Sequence, residues 1–446
     1  MDPAVLGALG MGAALILIIL RTPIAFALGV VALVSIFVYF AFPQSGAPAL
    51  DRALVPTLTL AASTIFELFY SYDLSAIPMF VALGHVCYRS GITSDIYFAA
   101  RAWLTRVPGG LAMASILGCG GFAAISGSSI ACAATMGRVA VSEMNRFGYS
   151  DRLSTGCVAA GGTLGALIPP SILFILYGIF AEQSISRLFM AGVVPGLLSM
   201  VGYWVVVGIW TSLRPQDAPS SDQRYSLAER LRALIAAWPA LLIFAIIIGG
   251  IYGGIFTATE AAAVSFVAAC AIAVVTGRIK LDGLREALKE TAVQTAAIFL
   301  IAAAAKTFVS FVSLTGVANA MVTVVQASEP GIVLLFVGIV AIYILLGMFL
   351  DPLGILLLTL PFTLPLVESH GMDLIWFGVI VVKLLEMGLV TPPVGLNVFV
   401  IHSVTDPKVP VGRIFAGVTP FFVMDLVVLT LLLVFPVLSL FLAYAV

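Results

Sequence analysis

The 446-residue chain is 61% hydrophobic and only 10% charged, with a mean hydropathy of +1.16, whereas soluble domains carry roughly a quarter charged residues, so it is a membrane protein. Its 21 Lys+Arg nearly balance 22 Asp+Glu, and without a basic run or aromatic-basic interleaving nucleic acid is excluded as a principal partner. Five cysteines (Cys87, Cys119, Cys132, Cys157, Cys270) lie scattered in apolar stretches without metal-ligand spacing, which predicts neither disulfides nor a metal cluster.

Apolar stretches long enough to cross a bilayer core of ~30 Å fall at 5–20, 23–42, 75–90, 152–182, 187–213, 233–249, 253–277, 291–313, 374–403 and 414–445. No basic region precedes the first and no small-residue cleavage site follows it, so it is expected to be a retained span rather than a signal peptide. Two further apolar regions, 109–146 and 331–369, are interrupted midway by Gly/Ser or Asp-Pro and predict re-entrant helical hairpins. Between spans and hairpins, 92–106 and 317–329 follow a Ser-Gly or Thr-Gly break and read as short helices in the interface plane, arms joining a scaffold to a moving part.

The positive-inside rule favours one topology, with the N-terminus outside and both hairpins returning to the side they entered. All cations then lie inside except Arg52 and Arg187, outside, and Lys306 and Lys383, within spans. Both chain ends face outward. The polar stretch 214–232 reads as a cytoplasmic linker between two halves, 1–213 and 233–446. Matching features recur 222 to 225 residues apart: Ser-Gly at 90–91 with Thr-Gly at 315–316, Pro-Gly at 108–109 with 330–331, and Pro-Pro at 169–170 with 392–393. Each half holds five crossings and one hairpin, so the second is expected to insert upside down. Inverted repeats with helices broken at matching places predict a secondary transporter.

The chemistry is expected at those breaks. In SGSS at 126–129, Gly127 permits the reversal and Ser128 or Ser129 can cap the restarting helix, while exposed carbonyls and hydroxyls suit a small hard cation. At the matching point Asp351 precedes Pro352, a helix restart on local rules, and an ionisable residue at mid-membrane depth is a functional candidate beyond its capping role. Pro169-Pro170 and Pro392-Pro393 each split a long span into half-helices. Carbonyls near Gly165 and Leu167, and near Leu389 and Thr391, are then freed for a cation, and helix N-termini at Ser171 and Val394 can face a carboxylate. Lys383 and Glu386, three apart on one helix, are expected to neutralise each other. No HExxH or Walker-type loop occurs, so the chain itself is not expected to hydrolyse ATP or act as an enzyme.

In its order of motifs the chain resembles the large membrane subunit of tripartite ATP-independent periplasmic (TRAP) transporters, the DctM-like family. The resemblance covers essentially the full length and rests on RTPIAFALG (21–29), PGG (108–110), SGSS (126–129), GALIPPS (165–171), GGIFTATEAAAV (253–264), Asp351-Pro352 and TPPVGLN (391–397). It implies an all-α elevator-type transporter of a bacterial inner membrane, driven by sodium. It also implies two partners, a periplasmic substrate-binding protein and a small membrane subunit of about four spans. The implied cargo is an organic acid such as a four-carbon dicarboxylate, keto acid, sialic acid or sugar acid. By motif position, sodium would be held by Ser126, Gly127, Ser128, Ser129, Gly165 and Pro169, and by Gly347, Asp351, Thr391 and Pro392. Substrate would lie between the hairpin tips, with Ser128, Ser129, Ser171, Asp351 and Asn397 as contacts. Two other readings stay open: a stand-alone sodium- or proton-coupled organic-anion symporter, and an intramembrane enzyme or scaffold.

Overall fold

The computed structural model describes residues 2–43, 48–219, 225–328, 331–406 and 408–445, and among them the regular elements are all helical. Pro330, Glu329 and the linker's 220–224 lie outside the described residues. Helix α1 (Pro3–Ile19) has Asp2 as its N-cap and Pro3 at its first turn, and Pro23 opens α2 (Ile24–Ala41). The two form a hairpin whose glycines take the close contacts. A Cβ on Gly7 would meet Thr315 and one on Gly10 would meet Phe311. Segment 50–70, absent from the predicted spans, is a 21-residue helix, α3 (Leu50–Tyr70), apolar enough to cross a membrane although only 28% of it is buried. Its polar Asp51, Arg52, Thr57, Ser63, Thr64 and Glu67 dilute the hydropathy that a sequence scan relies on. Thr64 reaches Ser310, while in α4 (Ala76–Arg89) His85 reaches Gln294 and Arg89 reaches Glu290. At 14 residues, about 21 Å, α4 is too short to cross alone.

After α5 (Ile92–Leu104) comes the first hairpin. It consists of α6 (Gly110–Ser126), α7 (Ser129–Met136), a π turn over 137–141 and α8 (Ser142–Arg146). The first broken span follows as α9 (Asp151–Gly162), α10 (Leu164–Leu167) and α11 (Ile172–Phe180), and α12 (Ile185–Leu213) closes the first half. The predicted linker ends in structure. A Ser226/Glu229 capping box starts α13 (Leu227–Ala236), which meets α14 (Trp238–Tyr252) at a 53° bend. A second box, Thr257 with Glu260, opens α15 (Ala258–Val275), and this is the role of Glu260. Helix α16 (Leu281–Thr315), 35 residues long, extends the predicted span at 291–313 by almost three turns at its N-terminus. Then come α17 (Val317–Ala327), the second hairpin α18 (Ile332–Gly347) and α19 (Pro352–Glu368), and the second broken span α20 (Leu374–Gly388) and α21 (Leu396–Val404). The expected span at 414–445 is two helices, α22 (Val411–Val434) and α23 (Val437–Ala443), because Pro436 removes a donor where the helix would continue. By length and composition, seven helical segments among the described residues can cross a membrane.

The two arms start as the sequence requires. Gly91 and Gly316 sit in the left-handed region at φ 73° and 65°, which lets each chain turn at once into α5 or α17. Nothing lies within 4 Å of a Cβ built on Gly316, so Gly316→Ala isolates the conformational cost, about 1 kcal/mol. The expected result is a small drop in the detergent-solubilised unfolding midpoint with no change in fold; a midpoint equal to wild type would contradict it.

The first broken span packs closely on α22. A Cβ on Gly417 would fall 2.1 Å from the Arg152 carbonyl oxygen and one on Gly156 2.4 Å from the Gly417 carbonyl carbon, so α9 and α22 touch backbone to backbone. This contact ties the first broken span to the last long helix of the second half.

Candidate functional site

At the first hairpin tip α6 ends on Gly127, whose φ of 60° reverses the chain, and Ser128 caps α7 by accepting the Ala131 N–H at 3.4 Å. The tip is pressed onto the first broken span. A Cβ on Gly127 would lie 2.6 Å from the Pro170 carbonyl oxygen, and one on Gly165 would lie 2.8 Å from both Ser129 N and Cα. Pro169 and Pro170 bring no N–H to the carbonyls of Gly165 and Ala166 four residues earlier, so the helix stops beside the tip. Ser171, fully buried, caps α11 through the Phe174 N–H at 3.3 Å. The structure thus brings Gly127, Ser128 and Ser129 together with Gly165, Pro170 and Ser171, and Ser126 and Pro169 flank these contacts in the chain.

The second tip repeats the plan with different residues. Asp351 Oδ1 accepts the Gly354 N–H at 3.1 Å and Pro352 occupies the first helical position, so the capping role read from sequence is realised. A Cβ on Gly347 would lie 2.7 Å from Gly388 Cα, which seats the end of α18 against the end of α20. Beyond Pro392 the helix restarts later than expected. Gly395, at φ 54°, takes the N-cap position instead of Val394 and α21 begins at Leu396. The Leu389 carbonyl, expected to be free, accepts the Asn397 N–H at 3.0 Å, because the turn through Gly395 folds the chain back over it. Thr391 Oγ1 donates to the Met387 carbonyl at 2.7 Å. The Asn397 side chain donates to the Ala159 carbonyl at 3.4 Å and therefore faces α9.

Both tips line one cavity of about 250 Å³, which Gly127, Ser128 and Ser129 enter from one side and Asp351 from the other. Gln294 and Ile298 of α16 form a wall, and Glu386 of α20 also faces it. The lining holds two carboxylates and no Lys, Arg or His. A second cavity, about 470 Å³, shares Ser128 and Gln294 with the first and carries Ser126, Thr135, Arg138, His85 and Arg89. There Arg89 Nη2 binds Glu290 at 2.7 Å, and His85 Nε2 lies 2.9 Å from Gln294 Oε1. Ser171 and Asn397 line neither cavity and sit behind the tips.

The expected Lys383–Glu386 pair does not form. Lys383 is 1% exposed and its Nζ binds Asp425 of α22 and Ser199 of α12, the latter at 3.0 Å. Tyr203 Oη donates to both Asp425 oxygens at 2.7 and 2.8 Å and lies 2.9 Å from Thr163 Oγ1. The reason is tertiary: α12 and α22 converge on the face of α20 that carries Lys383, offering a carboxylate already oriented by a tyrosine. Glu386, one turn on, is left on the cavity side with no partner for Oε2. Sequence reasoning missed this network because its hydrogen-bonded partners are 40 to 222 residues apart.

Two helical hairpins, helices broken beside their tips and a polar cavity that both tips line are the features of a multi-pass membrane transporter. Residues 11–438 match the family described as "Tripartite ATP-independent periplasmic transporter, DctM component". The chain belongs to that family of large permease proteins. It is 37% identical over 382 residues, 85% of this chain and 88% of the other, to the C4-dicarboxylate TRAP transporter large permease protein of Pseudomonas aeruginosa. It is 34% identical, over 82% of this chain and 85% of the other, to the sialic acid TRAP transporter large permease protein of Vibrio cholerae. Its fold resembles the YdaH transporter of Alcanivorax borkumensis, with a TM-score of 0.61, 15% identity and 98% of each chain covered.

Proposed function

We propose that this chain carries a small organic acid across a bacterial inner membrane together with sodium ions. A periplasmic binding protein delivers the acid, and a small four-helix membrane subunit braces the scaffold. One observation carries the reading: the cavity between the hairpin tips has two carboxylates and no base. An organic anion enters such a space only with cations, which makes coupling a consequence of electrostatics. Hard cations take oxygen ligands, and the residues present fit them. Ser126, Gly127, Ser128 and Ser129 with Gly165 and Pro169 supply one set, in which the buried Ser129 Oγ lacks a hydrogen-bond partner. Gly347, Asp351, Thr391 and Pro392 supply the other. Substrate binds at Ser128, Ser129 and Asp351, with Ser171 and Asn397 holding the half-helices behind them.

The two halves are inverted repeats, both termini are periplasmic, and hairpins and broken spans move as one body against a scaffold that includes α2 and α16. Arg89 and Arg138 of the larger cavity lie on the side that the positive-inside rule makes cytoplasmic, so this conformation faces inward. Sodium favours the substrate-ready arrangement by differential affinity.

The test is uptake into proteoliposomes holding this chain and its small subunit, with binding protein outside and a panel of a dicarboxylate, a keto acid and sialic acid. A sodium gradient is expected to drive uptake of one of them, and Asp351→Ala and Ser128→Ala are each expected to lower it at least tenfold. Unchanged sodium-driven uptake in both variants would remove the site assignment. Equal uptake without binding protein would replace the tripartite reading by a stand-alone symporter.

A further inference from the structure

Glu386 is a buried carboxylate left without the Lys383 partner expected for it. It is 1% exposed, on the cavity side of α20, and among the described residues it makes no ion pair. Its nearest cation in sequence, Lys383, is committed to Asp425, Ser199 and the face of Tyr203. Of the three charged groups Lys383, Asp425 and Glu386, two are acids, so one negative charge is left over, and Asp351 adds another across the same cavity. A buried carboxylate without a counter-charge is among the costliest arrangements in a membrane interior.

A second observation points to what fills the gap. Ser129, 5% exposed at the first hairpin tip, lines the same cavity as Glu386. Neither Ser129 Oγ nor Glu386 Oε2 completes a hydrogen bond. Two buried oxygens on one cavity, one of them anionic and both without a hydrogen-bond partner, offer ligands to a single cation. Buried polar atoms left unpaired are rare and call for such a partner. Behind them Asn397 Oδ1, fully buried, is also without a hydrogen-bond partner.

We propose that Glu386 and Ser129 form a site for a monovalent hard cation, bridging the second broken span to the first hairpin tip. This rests on the sodium-coupled reading above and adds to it a carboxylate ligand from the opposite half of the chain. An ion there neutralises the excess charge beside the substrate and joins the two halves of the moving body, so that occupancy tightens the tip against α20.

The experiment reads binding rather than transport. The purified full chain in mild detergent is titrated with sodium chloride against choline chloride at constant ionic strength, and its thermal unfolding midpoint is followed. Wild type is expected to be stabilised by sodium, and Glu386→Gln is expected to need at least tenfold more sodium for the half-maximal rise. Ser129→Ala should shift in the same direction by a smaller factor. An unchanged sodium dependence in Glu386→Gln, or in Ser129→Ala should Glu386→Gln not fold, overturns the proposal. Loss of the response in Asp351→Asn with Glu386→Gln unaffected would sink this site while leaving sodium coupling intact. A wild type indifferent to sodium would sink both.

Discussion

Lys383→Met is expected to destabilise the chain by about 3–5 kcal/mol, because it leaves Asp425 buried and charged without its cation. Asp425 is 1% exposed and would retain only the Tyr203 hydroxyl. Asp425→Leu should cost a similar amount by stranding the Lys383 ammonium against Ser199 alone. The double variant Lys383→Met with Asp425→Leu is expected to recover most of the loss, since a buried pair exchanged for apolar side chains of similar size is often neutral. A double-mutant cycle on the thermal unfolding midpoint in detergent measures the coupling. Additive losses would show that the pair does not act as a unit. Its position suggests why it is there: it fastens α20, the first limb of the second broken span, to α22, which in turn lies backbone to backbone on α9 of the first.

Gly165→Val is expected to abolish most uptake while leaving the amount of inserted protein near wild type. The atoms a Cβ would strike are Ser129 N and Cα at 2.8 Å and the Ser128 carbonyl carbon at 2.9 Å. All are backbone, so no flexible side chain can swing aside, and the first hairpin tip must back away from the broken span. Displacements of about 1 Å at a positioned site are enough for hundredfold losses of function. Proteoliposome uptake normalised to inserted protein decides this; wild-type rates would mean that tip and broken span need not touch. The second half offers the matched variant. Gly347→Val would strike Gly388 Cα at 2.7 Å and is expected to act in the same way on the second tip.

The contrast between these two sets of residues shows how much could be read without coordinates. The hairpin reversals at Gly127 and Asp351-Pro352, the breaks at both prolyl pairs and the starts of α5 and α17 follow from rules that act over about four residues. Those rules are written into residue type, and the structure places each break within a residue or two of its expected position. The one that slipped, at α21, did so because Gly395 accepts a left-handed conformation and moves the cap past Val394. Helix α3 escaped for the opposite reason: its polar residues weaken a signal that is purely compositional.

Apolarity, the paired breaks and the order of motifs were therefore determined by the sequence alone, since insertion and helix termination are decided locally by side-chain transfer energy and backbone donors. Which charges pair was decided only by tertiary structure. Lys383 and Glu386 are one turn apart and look like partners, but the pairing of buried ions depends on which helices converge on which face, and that depends on glycine contacts such as Gly156 with Gly417 far away in the chain. The same packing leaves Glu386 facing the cavity with Ser129 and Asp351, from three separate elements. Low-dielectric interiors make such placements energetically decisive, and no local pattern encodes them.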